Sequence, residues 1–455
     1  MKKNEEYIVE IVDNGFKGEG IAKIGDIVVF IPNVIKGEKI KIKILKVTSK
    51  CAYGKILEIL NEASSRQEVD CKTYNRCGGC NLRHIKYSET LKMKQNAVKN
   101  TLKKALNTDI QVNGTVGMEN PFFYRNKLQY PVGISENGDM VMGVFSERTH
   151  TIIPTDFCQI QNQLCQKIAK DIFEFMQENN IPAYNEKKLS GIIRHIVIRI
   201  GIKTNEVMIT LVLNKMQLPK QEELVKYIVN KYPEIKTIAK NLNDKNTNVI
   251  LGDKTEIIHG VGYIYDYLGE YKFKISPMSF YQVNPVQTEK LYSKAIEYAN
   301  LTGNETIFDL YCGIGTIGIF ASKKAKKLYG IETIPQAIEN AKENAKLNNI
   351  ENAEFFVGDV EKVLPKLIEE KNLKADVVFI DPPRKGCDKI ALDTILKIEP
   401  KRVVYVSCNP ATLARDLKVL EEKYYIKEVT PVDMFCFTSH VECVSVLELK
   451  GNLER

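Results

Sequence analysis

Short runs of alternating apolar and polar residues fill the first 62 positions. The runs YIVEIVDNG, GIAKIGDIVVFI, EKIKIKILKVT and AYGKILEIL are rich in β-branched residues at period two, and Gly and Asn/Asp positions separate them. This pattern predicts short strands joined by tight turns. Such a series is typical of a small barrel of the oligonucleotide-binding (OB) type, expected over 1–62. Since lysine alternates with isoleucine in KIKIKI, one face should be apolar and the other basic.

The middle of the chain, 63–275, mixes two periodicities. GIIRHIVIRIGI and EVMITLVLN read as strands, whereas QKIAKDIFEFMQENN reads as a helix, which predicts a central α+β domain. A polar linker over 61–70 and a cysteine-rich segment precede a basic helix-like stretch, SETLKMKQNAVKNTLKKAL. Ser88 is the expected N-cap of that helix.

From 276 to 455 strands and helices alternate regularly. TIFDLY, KLYGIE, AEFFVGD, ADVVFID and RVVYVSC are apolar strand-like runs, with helical segments such as PQAIENAKENAKLNN between them. This order predicts an α/β domain of Rossmann-like type, a doubly wound sheet that binds its ligands at the carboxyl ends of the strands.

Composition narrows the setting of these domains. Apolar residues make up 44% and charged residues 27% of the 455 positions, as in ordinary globular proteins. The opening MKKNEEYIVE has no apolar segment of a signal peptide, and no run of about 18 apolar residues occurs. We therefore expect a cytoplasmic protein without a membrane span. The net charge of +8 permits nucleic-acid binding without requiring it.

A glycine-rich turn follows the first strand of the C-terminal domain. Gly313-x-Gly315-x-x-Gly318 leads into a helix, and Glu332 closes the next strand. The glycines allow close approach of a ligand, and the acid can accept a ribose hydroxyl, so the pattern predicts an adenosine-bearing ligand. NAD enzymes and S-adenosylmethionine (SAM) enzymes share it. Asp359, at the end of the next strand, can reach an adenine amino group or cap the following helix.

Two further strand ends carry candidate chemistry. Asp381 is followed by two prolines and Arg384, a corner that suits methyltransferases acting on planar bases better than NAD enzymes. Cys408 ends the following strand, where Asn409 can cap a helix that begins at Pro410. A helix N-terminus stabilises a thiolate, so the pKa of Cys408 should fall below about 8.5. Cys51, Cys165 and Cys312 are expected to be structural.

A thiolate beside a planar base points to one reaction. Addition of the thiolate to C6 of a pyrimidine activates C5 towards an electrophilic methyl group, after which a base must remove the C5 proton. The segment DMFCFTSHVECV offers His440 and Glu442 just before a final apolar strand. Partial burial would give a carboxylate at Glu442 a useful pKa.

The motifs FYQVNP, DLYCGIGTIG, YGIE, DPPRKG, SCNPATLARDL and HVE occur in the order and spacing of one family. The chain resembles the RNA uracil-C5 methyltransferases of the RumA/TrmA type, and its barrel resembles their RNA-binding TRAM domain. The resemblance implies that Cys408 is the nucleophile and Glu442 the base. It places six residues at the SAM site: Gln282, Tyr311, Thr316, Glu332, Asp359 and Asp381. One departure is Cys436, where the family usually has proline.

The cysteine-rich segment predicts a metal site. Cys71-x5-Cys77-x2-Cys80 brings three thiols within ten residues, and His84 follows. With His84 as fourth ligand the site would bind zinc; with a distant cysteine it would hold an iron–sulfur cluster. The family resemblance implies a 4Fe–4S cluster with Cys158 as fourth ligand, in a structural or RNA-contacting role.

These observations predict a SAM-dependent enzyme that forms 5-methyluridine in structured RNA, acting on a flipped uridine as a monomer. A barrel with a full cysteine set resembles the 23S rRNA members more than the tRNA members, which are the alternative. A cytosine methyltransferase, an RNA-binding protein with a degenerate SAM fold and an NAD-linked oxidoreductase are the remaining alternatives. The barrel and five lysines of the basic helix are expected to hold phosphates: Lys92, Lys94, Lys99, Lys103 and Lys104. Arg384 would meet a phosphate, the base or an acid.

Overall fold

The structure, a computed structural model, describes residues 1–15, 17–147, 149–371 and 373–451. The N-terminal strands form one sheet in the order β1-β5-β6-β4-β3-β2. Ile40, Ile42 and Ile44 are fully buried, and the lysines between them point outward, which confirms the apolar and basic faces. The strands are β1 (Glu6–Glu10), β2 (Asp13–Asn14), β3 (Gly20–Ile24), β4 (Ile27–Ile31), β5 (Lys39–Val47) and β6 (Cys51–Asn61).

The basic helix α1 (Tyr87–Leu106) and the short strand β7 (Gln111–Val112) join the C-terminal part of the molecule. The helix begins at Tyr87 and has no side-chain cap, so the expected cap at Ser88 is wrong. Its apolar face packs into the core of the C-terminal sheet, and β7 pairs with Glu428 and Val429 of that sheet. The sequence placed both elements in the central domain, but in the structure they pack against the C-terminal sheet.

A second sheet forms the middle of the chain. Its order is β10-β9-β8-β11-β12-β13-β14, and α2 and α3 share its apolar core. A hairpin follows and packs into the C-terminal core. The elements are β8 (Lys127–Ile134), β9 (Met140–Phe145), β10 (Ile152–Pro154), α2 (Gln163–Glu178), β11 (Ile193–Ile200), β12 (Val207–Leu213), α3 (Gln221–Lys231), β13 (Ile235–Leu242), β14 (Lys254–Gly260), β15 (Ile264–Leu268) and β16 (Tyr271–Ile275).

The C-terminal sheet is doubly wound, as predicted, in the order β19-β18-β17-β20-β21-β23-β22-β7. Successive strand residues alternate between two buried clusters, one on each face. The elements are α4 (Pro285–Ala299), β17 (Thr306–Leu310), α5 (Thr316–Ser322), β18 (Lys327–Glu332), α6 (Pro335–Leu347), β19 (Ala353–Val357), α7 (Val360–Lys371), β20 (Val377–Ile380), α8 (Lys389–Ile398), β21 (Arg402–Ser407), α9 (Pro410–Leu420), β22 (Tyr424–Val432) and β23 (Glu442–Leu449).

The strand order places one crevice at the edge of this sheet. Because β17 pairs with β18 on one side and with β20 on the other, the chain reverses its winding there, and such a switch point is where doubly wound sheets bind ligands. The strand β23 runs antiparallel to β21, so it starts at the edge where β21 ends. Among the described residues, no helix combines the length and apolar composition that crossing a membrane requires.

Candidate active site

The structure brings Cys408 and Glu442 to the same edge of the sheet. In the antiparallel pair of β21 and β23, Ser407 lies opposite Cys443, so Cys408 and Glu442 are the next residues beyond that pair. Asp381 follows the neighbouring strand β20. The negative charges of Glu442 and Asp381 both raise the pKa of the Cys408 thiol, as expected for groups that share one crevice.

Burial makes Glu442 a weaker acid than an exposed glutamate. Only 5% of the residue is exposed, and this burial, followed by the charge of Asp381, raises its pKa to about 8. Arg384 lies exposed at the rim, and its positive charge opposes both effects. Burial likewise raises the pKa of Asp381 to about 7. His440, the other candidate base, is exposed and packs its ring against Phe435.

The expected low pKa of Cys408 is wrong. The local helix is as predicted, because α9 begins at Pro410 and the side chain of Asn409 accepts the Ala411 N–H at 3.0 Å. Burial of the thiol, and then the two carboxylates of Glu442 and Asp381, nevertheless raise its pKa to about 11. Desolvation and like charge therefore outweigh the helix terminus at this position.

The glycine-rich turn forms the other side of the crevice. Gly313 has φ +56°, and a Cβ added there would meet no atom within 4 Å, so the turn faces open space. Its N–H donates to Oε2 of Glu332 at 3.1 Å, and Oε1 of the same carboxylate accepts the Ile334 N–H at 3.0 Å. Glu332 is thereby held at the end of β18, beside the turn.

The remaining predicted SAM-site residues lie next to strand ends or helix starts of the C-terminal domain. Tyr311 follows β17 with φ +65°, and Thr316 opens α5 with its hydroxyl 3.1 Å from that of Tyr292. The carboxylate of Asp359 contacts the Thr333 hydroxyl at 3.1 Å and the Lys362 ammonium at 2.6 Å. Gln282 lies just before α4, where its backbone carbonyl accepts a hydrogen bond from Asn126.

Sequence reasoning missed Asp309, an acid inside the apolar strand β17. It is fully buried, one oxygen accepts the Gly318 N–H at 2.8 Å, and the other has no partner. Burial, together with the charges of Asp381 and Glu332, raises its pKa to about 7. The sequence did carry one signal for this residue, because Asp309 is the only charged residue in the otherwise mostly apolar run TIFDL. This orphaned oxygen and the neighbouring carboxylates suit a cationic ligand, and SAM carries a sulfonium and an ammonium group.

The four predicted cluster ligands line one cavity of about 160 Å³: Cys71, Cys77, Cys80 and Cys158. Burial, followed by the charges of Cys158 and Cys77, raises the pKa of Cys80 to about 12. Among the described residues, no three His, Cys, Asp or Glu side chains are arranged for a single metal ion. Arg125 and Lys127 line the same cavity, and burial of Lys127 lowers its pKa to about 7. Four thiols beside two basic groups suit an anionic iron–sulfur cluster.

His84 does not line this cavity. It is buried, with Nδ1 2.7 Å from the hydroxyl of Tyr74. Burial lowers its pKa to about 4. The arrangement therefore favours Cys158 over His84 as the partner of the three clustered cysteines.

Lys94 does not belong to a phosphate-binding surface, so that expectation is wrong. Its side chain is 2% exposed, and its ammonium lies 2.5 Å from the fully buried carboxylate of Asp433. Four other lysines of α1 are exposed: Lys92, Lys99, Lys103 and Lys104. Cys165 and Cys312 are buried, as expected for structural cysteines, and Cys51 is half-buried.

Comparisons with known proteins match nearly the whole chain. Residues 86–450 match the tRNA (Uracil-5-)-methyltransferase family, and residues 2–57 match the TRAM domain. An uncharacterised RNA methyltransferase of Clostridium acetobutylicum is 49% identical over 452 residues, 98% of each chain. One of Bacillus cereus is 46% identical over 98% of this chain and 97% of its own.

A solved structure is similar along the full length. The Pyrococcus abyssi tRNA (uracil-54, C5)-methyltransferase in complex with S-adenosyl-L-homocysteine superposes with a TM-score of 0.76. It is 27% identical in sequence, and the match covers 97% of this chain and 100% of that one.

Proposed function

The chain belongs to the tRNA (Uracil-5-)-methyltransferase family and is an RNA uracil-5 methyltransferase, and from this premise we propose that Cys408 and Glu442 carry the reaction. The pairing of β21 with β23 is the observation that supports this proposal most strongly, because a thiol at the end of β21 and a buried carboxylate at the start of β23 come next to the same residue pair. A degenerate, non-catalytic fold would not need a buried acid there.

The proposed reaction divides the chemistry between these two residues. The Cys408 thiolate adds to C6 of the uracil ring, and the C5–C6 electron pair moves towards O4 as an enolate. C5 would then take up the methyl group of bound SAM as the bond between that methyl carbon and the SAM sulfur breaks, which leaves S-adenosyl-L-homocysteine. The Glu442 carboxylate removes the C5 proton, the C5–C6 double bond returns, and the thiolate leaves. With a pKa of about 8, Glu442 can hold this proton until solvent accepts it.

The acidic crevice also explains how a thiol of high pKa becomes a nucleophile. When bound, SAM supplies the electrophilic methyl group and one positive charge. Beside a positive charge the pKa values of Cys408 and Glu442 both fall, which favours the thiolate and the carboxylate that the reaction needs. Asp309, Glu332 and Asp381 would hold the cationic and ribose parts of this donor.

We propose a uridine of 23S rRNA as the substrate. The basic barrel face and the exposed lysines of α1 would hold the surrounding phosphates, and extrusion of the base costs a few kcal/mol. A tRNA uridine is the second candidate, because the Pyrococcus abyssi enzyme with the same overall fold acts on tRNA. We propose a monomeric enzyme that meets this RNA in the cytoplasm.

Mapping 5-methyluridine in total RNA from a deletion strain distinguishes the two substrates. We expect one or two 23S rRNA sites to lose the methyl group and to regain it with the intact gene. Loss at tRNA alone would contradict the rRNA assignment.

Complementation with Cys408→Ala should fail although the purified variant still binds SAM, and restored methylation would reject the mechanism.

A further inference from the structure

The loop over 433–441, which leads into Glu442, is held by the cysteine-rich segment. The backbone N–H groups of Asn81 and Leu82 both donate to the Phe437 carbonyl, at 3.0 and 2.9 Å. The Asn81 side chain bonds Ser439 twice: Oδ1 accepts the Ser439 N–H at 2.8 Å, and Nδ2 donates to its hydroxyl at 3.0 Å. Four hydrogen bonds thus join two segments far apart in sequence, three residues before the proposed base.

The loop needs this support because its backbone is strained. Phe437 has φ +62° and is 1% exposed, and a left-handed backbone conformation is strained at a bulky residue. The Arg83 guanidinium lies 4.7 Å from the Phe437 ring, and Asp70 holds Arg83 at 2.8 Å. Such strain persists where surrounding contacts determine the conformation. Here the hydrogen bonds to the Phe437 carbonyl and the Arg83 contact come from the segment over 70–83, and the rings of Tyr87 and Phe122 pack against Phe437 as well.

The same segment carries the proposed metal ligands. Cys80 immediately precedes Asn81 in the chain. Cys80 and Cys158 pack against Cys436 and Phe437 in one apolar cluster. The wall of the four-cysteine cavity and the loop before Glu442 are therefore one packed unit.

We propose that Asn81 is a positioning residue that couples the four-cysteine site to the catalytic base. By fixing Phe437 and Ser439 it sets Glu442 against the C5 proton, so it controls how fast the covalent adduct is resolved. This proposal rests on the proposed function, which makes Glu442 the base.

The coupling acts on one half-reaction. Cys408 is supported separately, because it lies between β21 and the N-cap of α9 and Asn409 bonds Ala411 within that helix. Loss of the Asn81 bonds should therefore leave adduct formation nearly unchanged and slow proton removal. If Asn81 only supported general stability, its loss would lower the rates of adduct formation and of proton removal together.

The test compares Asn81→Ala and Ser439→Ala in the full-length enzyme, with substrate RNA and SAM. Measured quantities are the covalent protein–RNA fraction over time, SAM affinity and iron per chain. We expect resolution of the adduct to slow about tenfold in Asn81→Ala, which loses two hydrogen bonds to Ser439, and about threefold in Ser439→Ala, which loses only the bond to the hydroxyl. Adduct formation and SAM affinity should stay within about twofold. The double variant should be no slower than Asn81→Ala alone, since Asn81→Ala already removes both side-chain bonds to Ser439.

Matched variants separate the outcomes. Asn352→Ala likewise removes an asparagine side chain that makes two hydrogen bonds, here to the Ser322 and Ala325 carbonyls at the opposite end of the strands, and it should resolve the adduct normally. Should Asn81→Ala lose iron, Ser439→Ala must still slow resolution with iron intact; normal resolution in that variant overturns the proposal. If Glu442→Gln traps the adduct while Asn81→Ala does not, only the positioning role fails. If Glu442→Gln also resolves normally, the proposed base itself is wrong.

Discussion

At the scale of single residues, sequence patterns singled out the proposed nucleophile and base but not their electrostatics. Cys408 and Glu442 stand out because each ends or begins an apolar strand run, and the strand pairing then brings them together. The pKa of Cys408 could not be predicted, since it depends on burial and on Glu442 and Asp381 facing it across the sheet edge. Asp309 was missed for a related reason: only the fold shows that its environment is fully buried.

The raised pKa of Glu442 predicts a rate that depends on pH. Glu442 removes a proton only when ionised, so kcat/KM, which reports the free enzyme, should rise between pH 6 and 9, through the pKa of about 8. Arg384 lowers the pKa of both Cys408 and Glu442, so Arg384→Gln should shift the profile towards higher pH. A profile that stays in place or moves lower in this variant would contradict the proposed electrostatics.

At the scale of elements, the helix α1 shows what a charge pattern conceals. The buried residues of α1 recur at every fourth position, Thr90, Lys94, Val98, Leu102 and Leu106, so Lys94 occupies the apolar face. The 3.6-residue period therefore contained the information that separates Lys94 from its exposed neighbours. Its partner Asp433 could not be foreseen, because the contact joins α1 to the loop before Glu442.

Removal of Lys94 should destabilise the protein strongly. Lys94→Met leaves the carboxylate of Asp433 buried without its cation, and loss of one partner of a buried ion pair costs about 3–5 kcal/mol. Lys99→Met, on the exposed face of the same helix, should change stability by less than about 0.5 kcal/mol and weaken RNA binding. Urea unfolding measures the stability of both variants. Equal unfolding midpoints for Lys94→Met and Lys99→Met would contradict a structural role for Lys94.

At the scale of the whole molecule, the sequence predicted a strand-rich N-terminal part, a mixed α and β middle part and a doubly wound C-terminal sheet, and the structure has all three. The local periodicities of these parts are strong. The position of β7 as the last strand of the C-terminal sheet, beside β22, was not predictable. Its residue Gln111 pairs with Glu428, which is far away in the sequence. Cys158 came from family resemblance alone, and only the fold places it in the cavity of the other three cysteines.

The four-cysteine cavity predicts iron in the purified protein. Anaerobically prepared enzyme should contain iron and acid-labile sulfide near four atoms of each per chain. Cys158→Ser should lose most of this iron, whereas His84→Ala should keep it because His84 lies outside the cavity. Elemental and sulfide analysis measures this. Zinc without iron, or iron lost on replacing His84, would contradict the 4Fe–4S assignment.

Direct detection of the covalent adduct tests whether Cys408 is the nucleophile and Glu442 the base. Full-length Glu442→Gln is incubated with SAM and substrate RNA, digested with protease and nuclease, and analysed by mass spectrometry. We expect a peptide carrying methylated uridine on Cys408, abundant in Glu442→Gln and absent from Cys408→Ala. Normal turnover by Glu442→Gln, or an adduct on another residue, would contradict it.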